Sequence, residues 1–230
     1  MAPAADELLA NLHDVREQIE RACARSGRHV SEVTLVAASK TVPDGAIRRA
    51  WDAGVLDFGE NYVKELRDKR DAAPNARWHF IGTLQTNTAR HVALLADVVH
   101  TIAGGHATER VARRAAEAGR AIDAMIEVDF TGERPGVSPH ETPGLADRMA
   151  ALEGLSLVGL MTLPPMPERP EDARPFFVGL RELRDRIRES HPQVLELSMG
   201  MSLDYPVAVE EGATMVRIGT ALFGPGARST

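Results

Sequence analysis

Eight short runs rich in valine, isoleucine and leucine recur along the chain, most of them separated by a stretch with helical periodicity. They are VTLVAAS (33–39), VLDFG (55–59), WHFIG (78–82), DVVHTI (97–102), AIDAMIEVDF (121–130), LSLVGLMTL (155–163), VLELSMG (194–200) and MVRIG (215–219). Amphipathic segments such as GAIRRAWDA, TERVARRAAEA and FFVGLRELRDRIRES lie between them. A parallel strand pair needs a long crossover, and a helix supplies it. About eight such units in 230 residues match a single α/β (β/α)8 TIM-type barrel better than an open doubly wound sheet.

The junctions agree. Gly54, Gly119 and Gly212 each stand between the end of a helical stretch and the next apolar run, where glycine takes the left-handed conformation that closes a helix. Before the first run, Leu8, Leu9, Leu12, Val15 and Ile19 recur at helical spacing and predict a helix over residues 1–26, ended by Ser26 and Gly27. The proline-rich piece from Leu163 to Pro170 is long enough only for a strand-to-helix loop. One domain over 1–230 is expected, with the first helix packed on the barrel.

Composition narrows the setting. With 43% hydrophobic residues the chain can bury a full core. Its 27 basic and 33 acidic residues give a formal charge of -6, so no overall field invites nucleic acid or an acidic membrane surface. The lone Cys23 lies on the apolar side of its segment and reads as a packed small hydrophobe. No apolar run approaches the roughly 20 residues of a membrane span, and the acidic amphipathic start is unlike a signal or transit peptide. A cytoplasmic protein is expected, monomeric and without a metal.

In a barrel of this type the C-terminal strand ends surround the active-site mouth. Lys40 follows the first run, Glu60 and Asn61 the second, and Gly82 the third; Ser198 to Ser202 follow the seventh, and Gly219 with Thr220 the eighth. Lys40 can be an ordinary lysine whose head has left the core for water. It can also be an amine at the mouth of an apolar pocket, able to form a Schiff base because desolvation disfavours its charge. Loops after the seventh and eighth strands commonly hold phosphate. SMGMS and RIGTALFG offer hydroxyls and close backbone approach there, though such residues also serve turns alone. A Schiff-base lysine facing a phosphate cradle points to pyridoxal 5′-phosphate.

VAASKT with Lys40, FGENYVKEL from Phe58, WHFIGTLQTN from Trp78, GLMTL from Gly159, SMGMS from Ser198 and MVRIGTALFG from Met215 together resemble the pyridoxal-phosphate-binding homeostasis proteins. The likeness runs in order along nearly the whole chain. It implies a barrel resembling the N-terminal domain of alanine racemase, the fold type III of proteins using this cofactor. It further implies that Lys40 forms the internal aldimine and that Ser198, with the backbone N–H groups of Gly219 and Thr220, holds the phosphate. Arg217 would point at the pyridine nitrogen and Asn61 would line the pocket. His79 would either line the pocket or serve as a hydrogen-bonded barrel histidine. Met199 and Met201 read as fillers of irregular apolar gaps.

Arg217 bears on activity. A guanidinium stays protonated and only donates, so it favours an unprotonated ring nitrogen and weakens the ring as an electron sink. Racemisation also needs acid and base groups on both faces of the substrate carbon. Lys40 can serve one face; in alanine racemase the other depends on a tyrosine of a second domain, contributed across a dimer. Tyr62 and Tyr205, the only tyrosines here, fall within the barrel sequence. The expectation is a carrier that holds the cofactor for intracellular homeostasis and transfer, without strong catalysis, with apo enzymes that use the cofactor as recipients. The alternatives are a racemase of low activity and an aldolase-like Schiff-base enzyme acting on a phosphorylated sugar.

The sequence departs from the family pattern in two places. Thr83, Thr86 and Thr88 stand where many members read IGPLQSNK, and Leu203 to Ala208 replace a run such as DDMEAA. Pro206 is expected in the first turn of the next helix, where proline is tolerated. The charged run Arg181 to Glu189 reads as a solvated helix face.

Overall fold

The computed structural model describes residues 5–225, in which eight parallel strands close into a barrel in sequence order, the last pairing with the first. The strands are β1 (Thr34–Ala38), β2 (Asp57–Glu60), β3 (Arg77–Phe80), β4 (Val98–Ile102), β5 (Ile122–Val128), β6 (Leu155–Thr162), β7 (Glu196–Ser198) and β8 (Met215–Ile218). All eight overlap the apolar runs marked by sequence. Closure joins Val36 to Arg217 and Ala37 to Ile218 across β1 and β8.

The helices are α1 (Ala5–Ser26), α2 (Asp44–Asp52), α3 (Val63–Asp68), α4 (Ala89–Leu95), α5 (Gly105–Glu117), α6 (Thr142–Ala150), α7 (Arg174–Arg188), α8 (Tyr205–Glu210) and α9 (Thr220–Phe223). Gly54, Gly119 and Gly212 have φ of 84°, 64° and 96°, as closure of the preceding helix requires. Pro206 sits in the first turn of α8, where its missing N–H leaves no intrahelical bond unmade.

Residues 1–4 of the expected first helix, and 226–230 of the expected domain, lie outside the described residues. Leu8, Leu12, Val15, Ile19 and Cys23 of α1 are buried, whereas Leu9 is 49% exposed. Its side chain is turned about 100° from Leu8 and falls beyond the buried stripe. Asn11 Nδ2 donates to the carbonyl of Leu222 at 3.1 Å, tying α1 to α9.

Most apolar burial lies between the barrel and its helices. Inside the barrel a smaller apolar cluster of Val36, Val98, Met125, Met161 and Met215 is separate from it. The rest of the interior is polar: His79, His100, Glu127, Ser198 and Arg217 are all at least 94% buried. Buried polar groups of this kind persist only when hydrogen-bonded.

The charged run on α7 is only partly a solvated face. Arg174 binds Glu171, Glu210 and Glu211, and Arg181 also reaches Glu211. Arg25 of α1 joins at Glu210, 2.6 Å away, so the cluster ties α1, α7 and α8 together.

Candidate functional site

A cavity of about 560 Å3 opens at the C-terminal mouth of the barrel, with Lys40, Asn61, Ser202, Arg217, Gly219 and Thr220 on its wall. These residues come from the ends of β1, β2, β7 and β8, so strand geometry gathers positions separated by up to 180 residues of sequence. The volume lies within the usual range for small-molecule sites, about 300–1,000 Å3.

Lys40 sits in a tight turn after β1, closed by the Val42 N–H donating to Ser39 O at 2.9 Å. Thr41 has φ of 62°, a left-handed conformation that costs a residue with a Cβ about 1–2 kcal/mol. The turn is braced from below. Glu65 accepts the Thr41 N–H at 2.7 Å, and the Lys69 ammonium donates to Ser39 O at 2.6 Å and to Glu60 at 2.8 Å, as well as to Glu65. Ser39 Oγ donates to Glu60 at 2.6 Å. Burial raises the Glu60 carboxyl despite Lys69, whereas at the less buried Glu65 the bonds from Lys69 and Thr41 outweigh burial and lower it. Lys40 itself is exposed at the mouth.

Arg217 rises from β8 into the cavity wall and is only 4% exposed. Its guanidinium donates to Ser198 Oγ and, at 2.9 Å, to Thr162 O. Burial pulls its pKa down to about 10, with the Asp204 and Glu127 carboxylates opposing the fall. It remains a cation at neutral pH and only donates.

Ser202 Oγ accepts the Ala221 N–H at 3.1 Å, stitching the loop after β7 to the first turn of α9. Together with Gly219 and Thr220 this brings two hydroxyls and a glycine backbone to one corner of the cavity. A Cβ on Gly219 would lie 3.3 Å from Ala38 O. Glycine therefore lets this backbone pass close to the Lys40 strand. On the opposite side Asn61 is held by Gly82: a Cβ there would lie 2.0 Å from Asn61 O, so only glycine fits.

Two expected site residues lie elsewhere. Ser198 is fully buried, with its hydroxyl turned inside the barrel to Arg217 and His100, and Ser202 occupies the cavity wall in its place. Gly200, at φ of 90°, bends the chain between the two serines of SMGMS, so only the second reaches the mouth. His79 is also fully buried and bonds Asp57 and His100 inside the barrel, so of its two readings the structure takes the hydrogen-bonded histidine. Glu60, placed by sequence near the mouth, turns beneath it to Lys69. Thr83, Thr86 and Thr88 do not line the cavity, whereas Leu203 does.

Lys69 does not stand out in the sequence alone. Its signal was the pair Glu65 and Lys69 at i,i+4, beside a strand-end acid, Glu60, that would need a partner if buried. His100 likewise read only as part of an apolar run.

Residues 10–226 match the family described as alanine racemase, N-terminal domain. The chain is 42% identical over 218 residues to the pyridoxal phosphate homeostasis protein of Aquifex aeolicus, covering 93% of this chain and 96% of that protein. Among solved structures, PipY of Synechococcus elongatus with PLP bound has a TM-score of 0.80 and 33% identity, covering 90% of this chain and 100% of that one. Alanine racemase of Clostridium difficile in complex with cycloserine shares the fold alone, at a TM-score of 0.75 and 15% identity; this chain spans 59% of it.

Proposed function

The chain belongs to the alanine racemase N-terminal-domain family, within it to the pyridoxal phosphate homeostasis proteins, and from that premise we propose how its own mouth holds pyridoxal 5′-phosphate. Lys40 is the residue that bonds the cofactor covalently. Ser202, Thr220 and the backbone of Gly219 receive the phosphate, Arg217 faces the pyridine nitrogen, and Asn61 lines the ring's flank. The single observation that carries this assignment is the convergence of an amine, a buried guanidinium and a hydroxyl-rich glycine corner on one cavity.

When bound, the cofactor supplies an aldehyde carbon reactive towards amines and a ring able to draw electrons. Lys40 provides the amine, and the turn braced by Glu65 and Lys69 sets its direction. Arg217 offers only N–H donors to the ring and leaves the nitrogen unprotonated, which weakens electron withdrawal. Among the described residues no tyrosine or histidine lines the cavity; its ionisable side chains are Lys40, Asp204 and Arg217. Asp204 accepts the Met201 N–H at 2.6 Å, and burial raises its carboxyl although that bond and the Arg217 charge oppose the rise. A base on one face without a free acid on the other suits holding and release, not racemisation. The protein then acts as a non-catalytic cofactor carrier, a monomer of the cytoplasm that passes its load to apo enzymes.

Borohydride reduction followed by peptide mapping tests the assignment. A phosphopyridoxyl group on Lys40, absent from Lys40→Ala, is expected; an unmodified Lys40 after cofactor addition overturns it. Release of α-deuterium from alanine no faster than with free cofactor is expected of a carrier, and a much faster release would make the protein a catalyst.

A further inference from the structure

A continuous hydrogen-bonded chain crosses the barrel interior from its N-terminal face to the cavity. Asp57, the first residue of β2, lies 2.9 Å from His79 Nε2. His79 Nδ1 lies 2.8 Å from His100 Nε2, and His100 Nδ1 lies 2.8 Å from Ser198 Oγ, which accepts from Arg217. His79, His100 and Ser198 are fully buried; Asp57 is partly exposed at one end, and Arg217 borders the cavity at the other.

The two ends fix the direction of every bond between them. A guanidinium only donates and a carboxylate only accepts. Ser198 accepts from Arg217, so its O–H is free to donate to His100 Nδ1. His100 then carries its proton on Nε2 and donates to His79 Nδ1, and His79 carries its proton on Nε2 and donates to Asp57. The reverse order, with both rings neutral, would set a bare His79 Nε2 against the Asp57 carboxylate, two acceptors 2.9 Å apart.

Burial favours the neutral form of both rings. Burial holds His79 below the ordinary histidine value although Asp57 pulls upward, and it holds His100 well below it, with His79, Arg217 and Arg77 adding to the effect. The other charges acting on His79 are Arg77, which lowers it, and Asp97, which raises it.

We propose that His100 is a positioning residue for the cofactor's ring partner: backed by His79 and Asp57, it commits the Ser198 hydroxyl to accept from Arg217 and so fixes how the guanidinium meets the ring. This rests on the reading that Arg217 faces the pyridine nitrogen. Of the two anchors on the guanidinium, the Thr162 carbonyl is set by the β6 backbone. The Ser198 hydroxyl is a rotor, free to turn its hydrogen towards Arg217 unless His100 claims it.

Two measurements test this. The first is nitrogen-15 NMR of the imidazoles in the apo protein near neutral pH, which needs no cofactor. Both rings are expected neutral with the proton on Nε2; a proton on Nδ1 of either ring overturns the chain. The second compares His100→Leu with His100→Asn, whose side-chain oxygen can still accept from Ser198. His100→Leu is expected to weaken cofactor binding about tenfold, the scale of one lost hydrogen bond to a charged group. It should also shift the visible band of the bound cofactor, and His100→Asn should restore most of both. Wild-type affinity and spectrum in His100→Leu, or equal losses in both variants, would mean a merely structural histidine. If the wild-type protein takes no cofactor on Lys40, the functional reading fails, while the ring tautomers in the apo protein still decide the chain.

Discussion

The Lys69 ammonium donates to the Ser39 carbonyl at 2.6 Å, so a lysine that never faces the cavity fixes the residue immediately before the one that does. Lys69 is the shared cation of Glu60 and Glu65, and its side chain is 8% exposed while that of Glu60 is fully buried. Removing one partner of a buried ion pair typically costs about 3–5 kcal/mol, because the remaining charge keeps its desolvation penalty. Lys69→Met should destabilise the fold by about that amount in urea unfolding, and slow the reaction of Lys40 with cofactor. A loss below about 1 kcal/mol would show that the cluster holds nothing in place.

Gly82 answers to a different constraint. Gly82→Ala places a methyl 2.0 Å from the Asn61 carbonyl oxygen, so the backbone on that side of the mouth must move. Overpacking of this kind costs about 1–3 kcal/mol. The variant should lose cofactor affinity while Lys40 stays open to chemical modification; unchanged affinity would remove Asn61 from the site.

The two serines of SMGMS should separate by what they change. Ser202→Ala deletes the acceptor of the Ala221 N–H and one hydroxyl of the phosphate corner, and should weaken binding of both pyridoxal phosphate and free phosphate by about tenfold. Ser198→Ala should leave binding of free phosphate intact while weakening cofactor binding and shifting the spectrum of the bound cofactor, since its hydroxyl meets Arg217 and His100. Titrations of both variants with phosphate alone decide it, and the opposite ranking would return the phosphate to Ser198.

Acid should destabilise this barrel through its interior. Burial holds His79 and His100 below their unperturbed value of 6.5, so the unfolded chain takes up protons near that pH that the native state refuses. Their contribution is complete above about pH 6.5 and falls as the pH drops below it. The urea midpoint should therefore decline between pH 7.5 and 5.5, and decline less steeply in His100→Asn. Parallel slopes in the two proteins would place the acid sensitivity elsewhere.

Much of this was legible in the sequence because periodicity and helix-closing glycines are local. The eight runs, the turns at Gly54, Gly119 and Gly212, and the first-turn Pro206 all follow from rules spanning a few residues. Lys40, Asn61, Gly219 and Thr220 could be placed at strand ends, Arg217 was singled out by the family resemblance, and the fold gathers all five on one cavity. Ser198 and Ser202 could not be told apart in the same way. Only the positive φ of Gly200 decides which of them turns outward, and a loop glycine does not announce its conformation. Lys69 and His100 were hidden for a related reason: their partners lie on other elements, and a lysine in an amphipathic helix or a histidine in an apolar strand reads as ordinary until the neighbours are known.

The pairing of β1 with β8 also sets the order in which the molecule can be made. Lys40 leaves the ribosome early, but Arg217 and Gly219 follow nearly 180 residues later, on the order of ten seconds or more at ordinary rates of synthesis. Throughout that interval the amine exists without its pocket. The cofactor finds no complete pocket on the nascent chain, and a chain able to enclose it has already brought its first and last strands together.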